Sequence, residues 1–215
     1  MGQRRWTEKP RQTALFIVSS VKSNSQLRNV SELIKTTEEK IEYFDGEIFS
    51  MAGGKFAHAE IASNVLAVLR NRLATQPCRA YSGELAIRVP TAPPFRLPDA
   101  SVVCGQPIIQ DFHGIDLLVN PILIVEVLSD STSFYDLNQK FVGYQSIESL
   151  REYLAVEQRC AHVIHHIKQP NGRWIRHDII GLESSVQLDA LNITLTLQEI
   201  YENVSFPETQ NPFTT

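Results

Sequence analysis

Apolar residues recur along this chain in two periods. Between His58 and Leu73, the residues Ile61, Val65, Leu66, Leu69 and Leu73 return every three or four positions, which predicts a helix over that span. Val30, Leu33 and Ile34 predict a shorter helix over Asn29 to Lys40. Elsewhere the pattern is that of strands. Ile41 to Phe49 reads as a hairpin, with Asp45-Gly46 supplying the positive-φ turn and Gly53-Gly54 ending it. Leu85, Ile87 and Val89 alternate within a strand expected over Glu84 to Val89, and Ala100 to Cys104 is short and apolar. Ile122 to Leu128 is apolar almost throughout, as expected of a central strand covered on both faces. Asp136 to Tyr144 reads as helical, Ser149 to Tyr153 as another helical turn, and Tyr153 to Val156 as a strand. Ala161 to Ile167 and Trp174 to Ile180 flank Pro170-Asn171-Gly172, a hairpin signal. Ile193 to Leu197 reads as a strand and Leu197 to Tyr201 as a last short helix. Helices mixed with runs of strands predict an α/β or α+β fold, a central mixed sheet with flanking helices, the long helix packed on one face.

One residue breaks the strand pattern. Within Ile-Leu-Ile-Val-Glu-Val-Leu, alternation puts Glu126 on a face with Ile124 and Leu128. A carboxylate in such a strand is costly unless it is paired or binds a metal. Asp99 follows Pro98 at the start of the Ala100 strand, where proline is tolerated. Lys140 follows the Glu126 strand after a stretch rich in helix-capping residues, Ser129-Asp130-Ser131-Thr132-Ser133. Asp136, Lys140 and Tyr144 recur every four positions and share a face, which by itself describes an ordinary surface ion pair. Two carboxylates from neighbouring strands could hold a hard divalent cation through oxygen. The cation would acidify a bound water, and a lysine could stabilise developing negative charge.

Composition narrows the field. The 215 residues are 43% hydrophobic and 20% charged, ordinary for a globular domain with one core. No apolar run approaches the roughly 18 residues of a spanning helix, so no membrane role is expected. The net charge of −4 excludes a strongly basic nucleic-acid binder and leaves any such role to a local groove. Residues 1–28 are polar and basic (Arg4, Arg5, Lys9, Arg11) and read as an arm. Within it, Ala14 to Val18 is too short for a secretory core and suits a short extra strand. Residues 29–204 form the expected domain and residues 205–215 a tail. Cys78, Cys104 and Cys160 are odd in number and widely spaced, so neither a disulfide framework nor a Cys-x-x-Cys zinc site is expected; a reducing cytoplasm follows.

The ordered motifs resemble the PD-(D/E)XK nuclease superfamily. Within it they resemble the restriction-endonuclease family abundant in cyanobacteria and once catalogued only as a domain of unknown function. The stretches that carry the resemblance are Ile41 to Ile48, Met51-Ala52-Gly53 and His58 at a helix start. They continue with Leu97-Pro98-Asp99 to Val103, Asn120 to Ser129, Ser131-Thr132, Asp136, Lys140, Tyr144 and Ser149 to Leu154. Together they span about residues 29–204. The resemblance implies a restriction-endonuclease-like core and Mg²⁺- or Mn²⁺-dependent hydrolysis of DNA, with Asp99 and Glu126 as metal ligands and a homodimer that cuts two strands. The superfamily's usual lysine lies two residues after the acid, where this chain has Leu128, so Lys140 inherits that role by the resemblance.

The remaining candidates have plain alternatives. Glu47 could complete the site or be an ordinary exposed strand residue. His58 could hydrogen-bond the acids or carry a proton, or be a satisfied core histidine. Glu84 could add a carboxylate or pair with Arg88. Arg70, Arg72 and Arg79 could touch phosphates or form a solvated face. An even-length loop would set His166 opposite His177 with His162 alongside, but no suitably spaced cysteine or carboxylate completes a zinc site. Against the nuclease stands a catalytically degenerate module that binds nucleic acid or protein on the same fold. A hydrolase of smaller phosphate esters is the third alternative.

Overall fold

The computed structural model describes residues 55–91, 95–129, 133 and 136–207, together with the backbone of 41–44 and 47–50. The helix expected over Asn29 to Lys40, the N-terminal arm, the Asp45-Gly46 turn and Gly53-Gly54 lie outside these residues.

Residues 41–50 pair as expected: β1 (Ile41–Phe44) runs antiparallel to β2 (Glu47–Ser50). The long helix, α1 (Phe56–Arg72), begins two residues before the expected start at His58. Ile61, Val65 and Leu69 on that stripe are buried, as is Leu73 just beyond the end. Next come β3 (Cys78–Ser82), β4 (Ala86–Ile87) and β5 (Ala100–Cys104). The strand expected over Glu84 to Val89 shrinks to Ala86–Ile87. Glu84 falls in the preceding turn, and the segment is held by a parallel pairing to β7 (Ile115–Leu118) and a bridge from Ile87 to Arg96. With neighbours on both sides, alternation no longer decides burial there: Ala86, Ile87 and Val89 are all covered.

Strand β6 (Ile109–Phe112), which hairpins onto β7, has too few apolar residues to be read as a strand from the chain. β8 (Leu123–Leu128) is buried along its whole length. Asp136–Lys140 forms a π-helical turn that runs into α2 (Phe141–Tyr144). The turn of helix expected over Ser149 to Tyr153 does not form. Ser149 lies in a turn, its hydroxyl donating to the Pro121 carbonyl at 2.7 Å, and β9 (Glu152–Glu157) starts three residues later. β10 (His162–Lys168), β11 (Trp174–Ile180), β12 (Ser185–Leu188), β13 (Ile193–Thr196) and α3 (Leu197–Ile200) complete the chain.

The central sheet has six strands in the order β11-β10-β9-β8-β5-β3. Only β8 and β9 run parallel, and the π turn, α2 and the following loop make the crossover between them. This is a mixed α+β fold. One face of the sheet, with Val102, Val125, Val127, Leu154 and Val163, packs on α1, the β12-β13 hairpin and α3. The other face, with Val103, Ile124, Leu128, Tyr153 and Ile164, packs on Phe141, Tyr144, Ile147 and Leu150 of the crossover. Glu126 alternates onto this second face, beneath the crossover helix.

Two expectations fail here. Cys78 and Cys104 are cross-strand partners on β3 and β5 and form a disulfide, leaving Cys160 as the free thiol. Sequence separation conceals such a pair because the antiparallel ladder alone brings the two residues together. The reducing compartment inferred from unpaired thiols loses its support. The histidine register also shifts by one. Gln169 N donates to the Arg173 carbonyl, so the loop has three residues, and Gly172 takes φ 81. His165 therefore faces His177, and His166 faces Arg176. A one-residue slip sends His166 and His177 to opposite faces, and the imagined zinc arrangement dissolves.

A candidate active site at the end of the sheet

Strand β8 brings Glu126 to the sheet's second face, where it is 3% exposed. The crossover supplies its partners. Lys140 Nζ lies 3.3 Å from Glu126 Oε1, and Tyr144 donates its hydroxyl to the same oxygen at 2.8 Å. Lys140 Nζ is also 3.3 Å from Asp136 Oδ1. Asp136 and Lys140 are as buried as Glu126, at 3% and 2% exposure. The spacing that could have described a surface pair instead describes the lining of a charged interior. Tyr153, from β9, donates its hydroxyl to the Asp136 backbone carbonyl at 3.0 Å and so fixes the start of the π turn. Complete burial, reinforced by the nearby carboxylates Glu126, Asp136 and Asp99, pushes the Tyr153 hydroxyl well above the usual tyrosine range. It stays a protonated donor.

Asp99 ends the neighbouring strand. Ala100 pairs with Val125, which sets Asp99 beside Glu126 in the ladder. Its backbone N–H donates to the Val125 carbonyl at 3.1 Å, and its Oδ2 accepts from Val127 N–H at 2.7 Å. The carboxylate thus takes up the ladder position that a longer strand would have filled, and it is held rigidly at the sheet's end. His58, from the first turns of α1, reaches the same oxygen from the other face, with Nε2 at 3.5 Å. The hydrogen bond to Asp99 raises the His58 pKa, burial opposes it, and the charge of Asp99, the Val127 backbone and Asp136 add to the rise. The site therefore spans the sheet end, with α1 contributing from one face and the crossover from the other.

The other sequence candidates fare differently. Glu47 lies on β2 opposite Phe44, and its side chain is outside the described residues. Glu84 is exposed in its turn. Arg70 donates to the Ala80 carbonyl at 3.3 Å, and Arg72 pairs with Glu199 at 2.6 Å, so both bind α1 to its neighbours. Asp136 and Tyr144 shared a face in the sequence pattern but were given no role by it; both belong to the cluster around Lys140.

The carboxyl oxygens of the cluster are ligands of the type that a hard divalent cation takes. Glu126 and Asp136 supply two carboxyl groups for one lysine, and Asp99 adds a third at the same end, so a cation would offset an excess of acid. Among the described residues no group of three or more His, Cys, Asp or Glu side chains is placed to hold a metal ion. Mg²⁺ does not require one, because one or two carboxylates, waters and a substrate phosphate ordinarily complete its shell.

The fold, a mixed sheet flanked by helices, is restriction-endonuclease-like, and two strand-borne acids and a lysine from the crossover are carried on it. Residues 27–198 match the model of the Uma2 family, described as "Putative restriction endonuclease", and the chain belongs to that family. It is 30% identical over 170 residues to the uncharacterized protein slr1290 of Synechocystis, covering 78% of this chain and 86% of that one. With the uncharacterized protein sll1609 of the same organism it shares 27% identity over 176 residues, 80% of this chain and 99% of the other. In fold it resembles a crystal structure titled as a putative nuclease of DUF820 from Anabaena variabilis, with a TM-score of 0.64 at 18% identity, over 80% of this chain and 96% of that one. Among the described residues no helix is long and apolar enough to cross a membrane.

Proposed function

We propose that the chain is a Mg²⁺- or Mn²⁺-dependent endonuclease that hydrolyses DNA phosphodiester bonds. The observation that carries this reading is the buried contact between Lys140 and Glu126, beside Asp99 on the adjoining strand. A buried acid paired to a lysine from another element has no packing advantage over an apolar pair of similar volume. A site that must hold a cation and stabilise charge explains it better.

In this reading Asp99 and Glu126 hold the metal. When bound, the metal would neutralise phosphate charge and make water a better nucleophile. Lys140 orients the attacking water and stabilises negative charge developing on phosphate. Tyr144 and Asp136 hold the Lys140 ammonium and the Glu126 carboxylate in register. His58 holds Asp99 from the opposite face and is placed to carry a proton near the strand end. Glu47 is a candidate third acid. A double-strand cut calls for two such sites, and a homodimer would supply them.

The test is cleavage of DNA with Mg²⁺ or Mn²⁺ by wild type beside Glu126→Gln and Asp99→Ala. Cleavage by wild type, lost in both variants together with calorimetric binding of the metal, is the expected result. Cleavage retained by either variant would sink the assignment. The absence of lysine at Leu128 favours the degenerate binding module as the second reading. That module would show DNA binding without metal-dependent cleavage, and no thermal stabilisation by the metal.

A further inference from the structure

Strand β11 is the outer edge of the central sheet. Among the described residues no strand pairs with its far side. It is seven residues long and mostly exposed. The hydrogen bonds that join it to β10 set its parity. Arg173 and Gly181 lie at bonded positions, through Gln169 N–H to the Arg173 carbonyl and Gly181 N–H to the Ala161 carbonyl. In an antiparallel ladder bonded and non-bonded pairs alternate. The odd-numbered residues of β11 therefore bond to β10, and Trp174, Arg176, Asp178 and Ile180 turn their backbone N–H and C=O groups outward. Of these, the Ile180 carbonyl accepts the Ser184 hydroxyl within the chain. The opposite edge is partly blocked, since the Arg70 guanidinium takes the Ala80 carbonyl of β3.

Natural sheets protect such an edge with lysine, proline, a bulge or a covering segment. β11 reads Trp-Ile-Arg-His-Asp-Ile-Ile, a sequence complementary to its own reverse. Turned antiparallel about His177, it sets Arg176 opposite Asp178, Ile175 opposite Ile179 and Trp174 opposite Ile180. The outward-facing even residues then meet one another as bonded pairs, as the ladder demands. Centring the strand on Arg176 or on Asp178 also preserves the parity, but it opposes like charges. Of these registers, the central one keeps the hydrogen-bond parity and sets opposite charges against each other. Ile175 and Ile180 are 44% and 39% exposed, and Leu182 just beyond is 41% exposed, which is apolar surface the same pairing would cover.

We infer that β11 is the contact through which two copies of this chain associate, joining their central sheets into one continuous sheet across a two-fold axis at His177. Within each strand Arg176 already donates to both oxygens of Asp178, at 2.8 and 2.7 Å. Across the axis the two pairs form a ring of four alternating charges. The contact lies at the sheet edge and does not depend on the catalytic reading; its test reads mass and not cleavage.

The experiment is sedimentation velocity of the full chain over a wide concentration range. Wild type is expected to dimerise. Arg176→Asp and Asp178→Arg each create two like-charge pairs across the axis and should weaken the dimer by roughly tenfold or more. The double variant R176D/D178R restores opposite charges and should dimerise again, and the two single variants mixed should form a heterodimer. A separate His177→Cys variant, with Cys160→Ser to remove the free thiol, should give a reducible covalent dimer on mild oxidation. A wild type that stays monomeric at every concentration would overturn the inference. So would a dimer indifferent to both reversals, or a double variant that stays as weak as the singles while melting normally.

Discussion

At the scale of single residues, the most informative feature is the burial of Lys140. Its ammonium holds two carboxyl groups, Glu126 and Asp136, in the crossover interior. Removing a cation from such a group leaves buried acids uncompensated, and losses of about 3–5 kcal/mol are typical. Lys140→Met should therefore lower unfolding free energy by about that amount in urea denaturation at neutral pH, and should reduce metal-dependent cleavage by about a hundredfold or more. A loss of cleavage without loss of stability would assign the lysine to chemistry alone. A second residue gives a pH signature. His166 is packed on the Phe141 ring at 4.1 Å between centroids, and its Nδ1 is buried with no hydrogen-bond partner among the described residues. Burial, with Arg176 and His165 adding, lowers its pKa to about 4. The folded protein thus resists a proton that the unfolded chain accepts near pH 6.5. This group's unfavourable contribution is absent above that pH and grows as the pH falls toward about 4. Thermal melts of His166→Phe should show a shallower loss of stability across that window than wild type.

At the scale of elements, legibility depended on whether local pattern and tertiary environment agree. Helix α1 was readable from its apolar period, β5 and β8 from their short apolar runs, and β11 from the Pro170-Asn171-Gly172 turn signal before it. β6 and β7 were not, and β4 is shorter than its alternation suggests because its extent is set by β7 and by the bridge from Arg96. The β10-β11 register shows how little separates a correct hairpin from a correct pairing. The strands were visible, yet a three-residue loop in place of an even one moved every histidine. Gly172 permits that loop at φ 81, where a Cβ would strain the backbone. Gly172→Ala should cost about 1 kcal/mol or more in denaturant unfolding and leave the fold intact. The last short helix is set by a reciprocal cap: Thr196 Oγ1 accepts Glu199 N–H at 3.2 Å, and the Glu199 carboxylate accepts Thr196 N–H at 3.0 Å. Thr196→Ala should lower stability by about 1 kcal/mol.

At the scale of the whole molecule, the sheet serves as a frame on which two packed faces meet at one end. α1 delivers His58 from one side, and the crossover delivers Lys140 and Tyr144 from the other. Far along β5 from Asp99, the Cys78–Cys104 disulfide ties the β3 edge to the same strand, 26 residues apart in sequence. Cross-linking a loop of that size restricts the unfolded chain by about 3 kcal/mol. Replacing both cysteines by serine should reduce unfolding free energy by about that much while leaving metal-dependent cleavage unchanged.

The sequence by itself determined the class of fold, the central strand and its misplaced acid, and the order in which Asp99, Glu126 and Lys140 come. It did so because a carboxylate inside an apolar run has a high desolvation cost, and such an exception is visible without coordinates. Only the tertiary structure decided that Lys140 turns inward, that Asp136 and Tyr144 share its cluster, that His58 reaches Asp99, and that Cys78 meets Cys104. Each of these depends on register and on which element crosses over which face. Those are long-range choices, made by the packing of both sheet faces at once, and no local period encodes them.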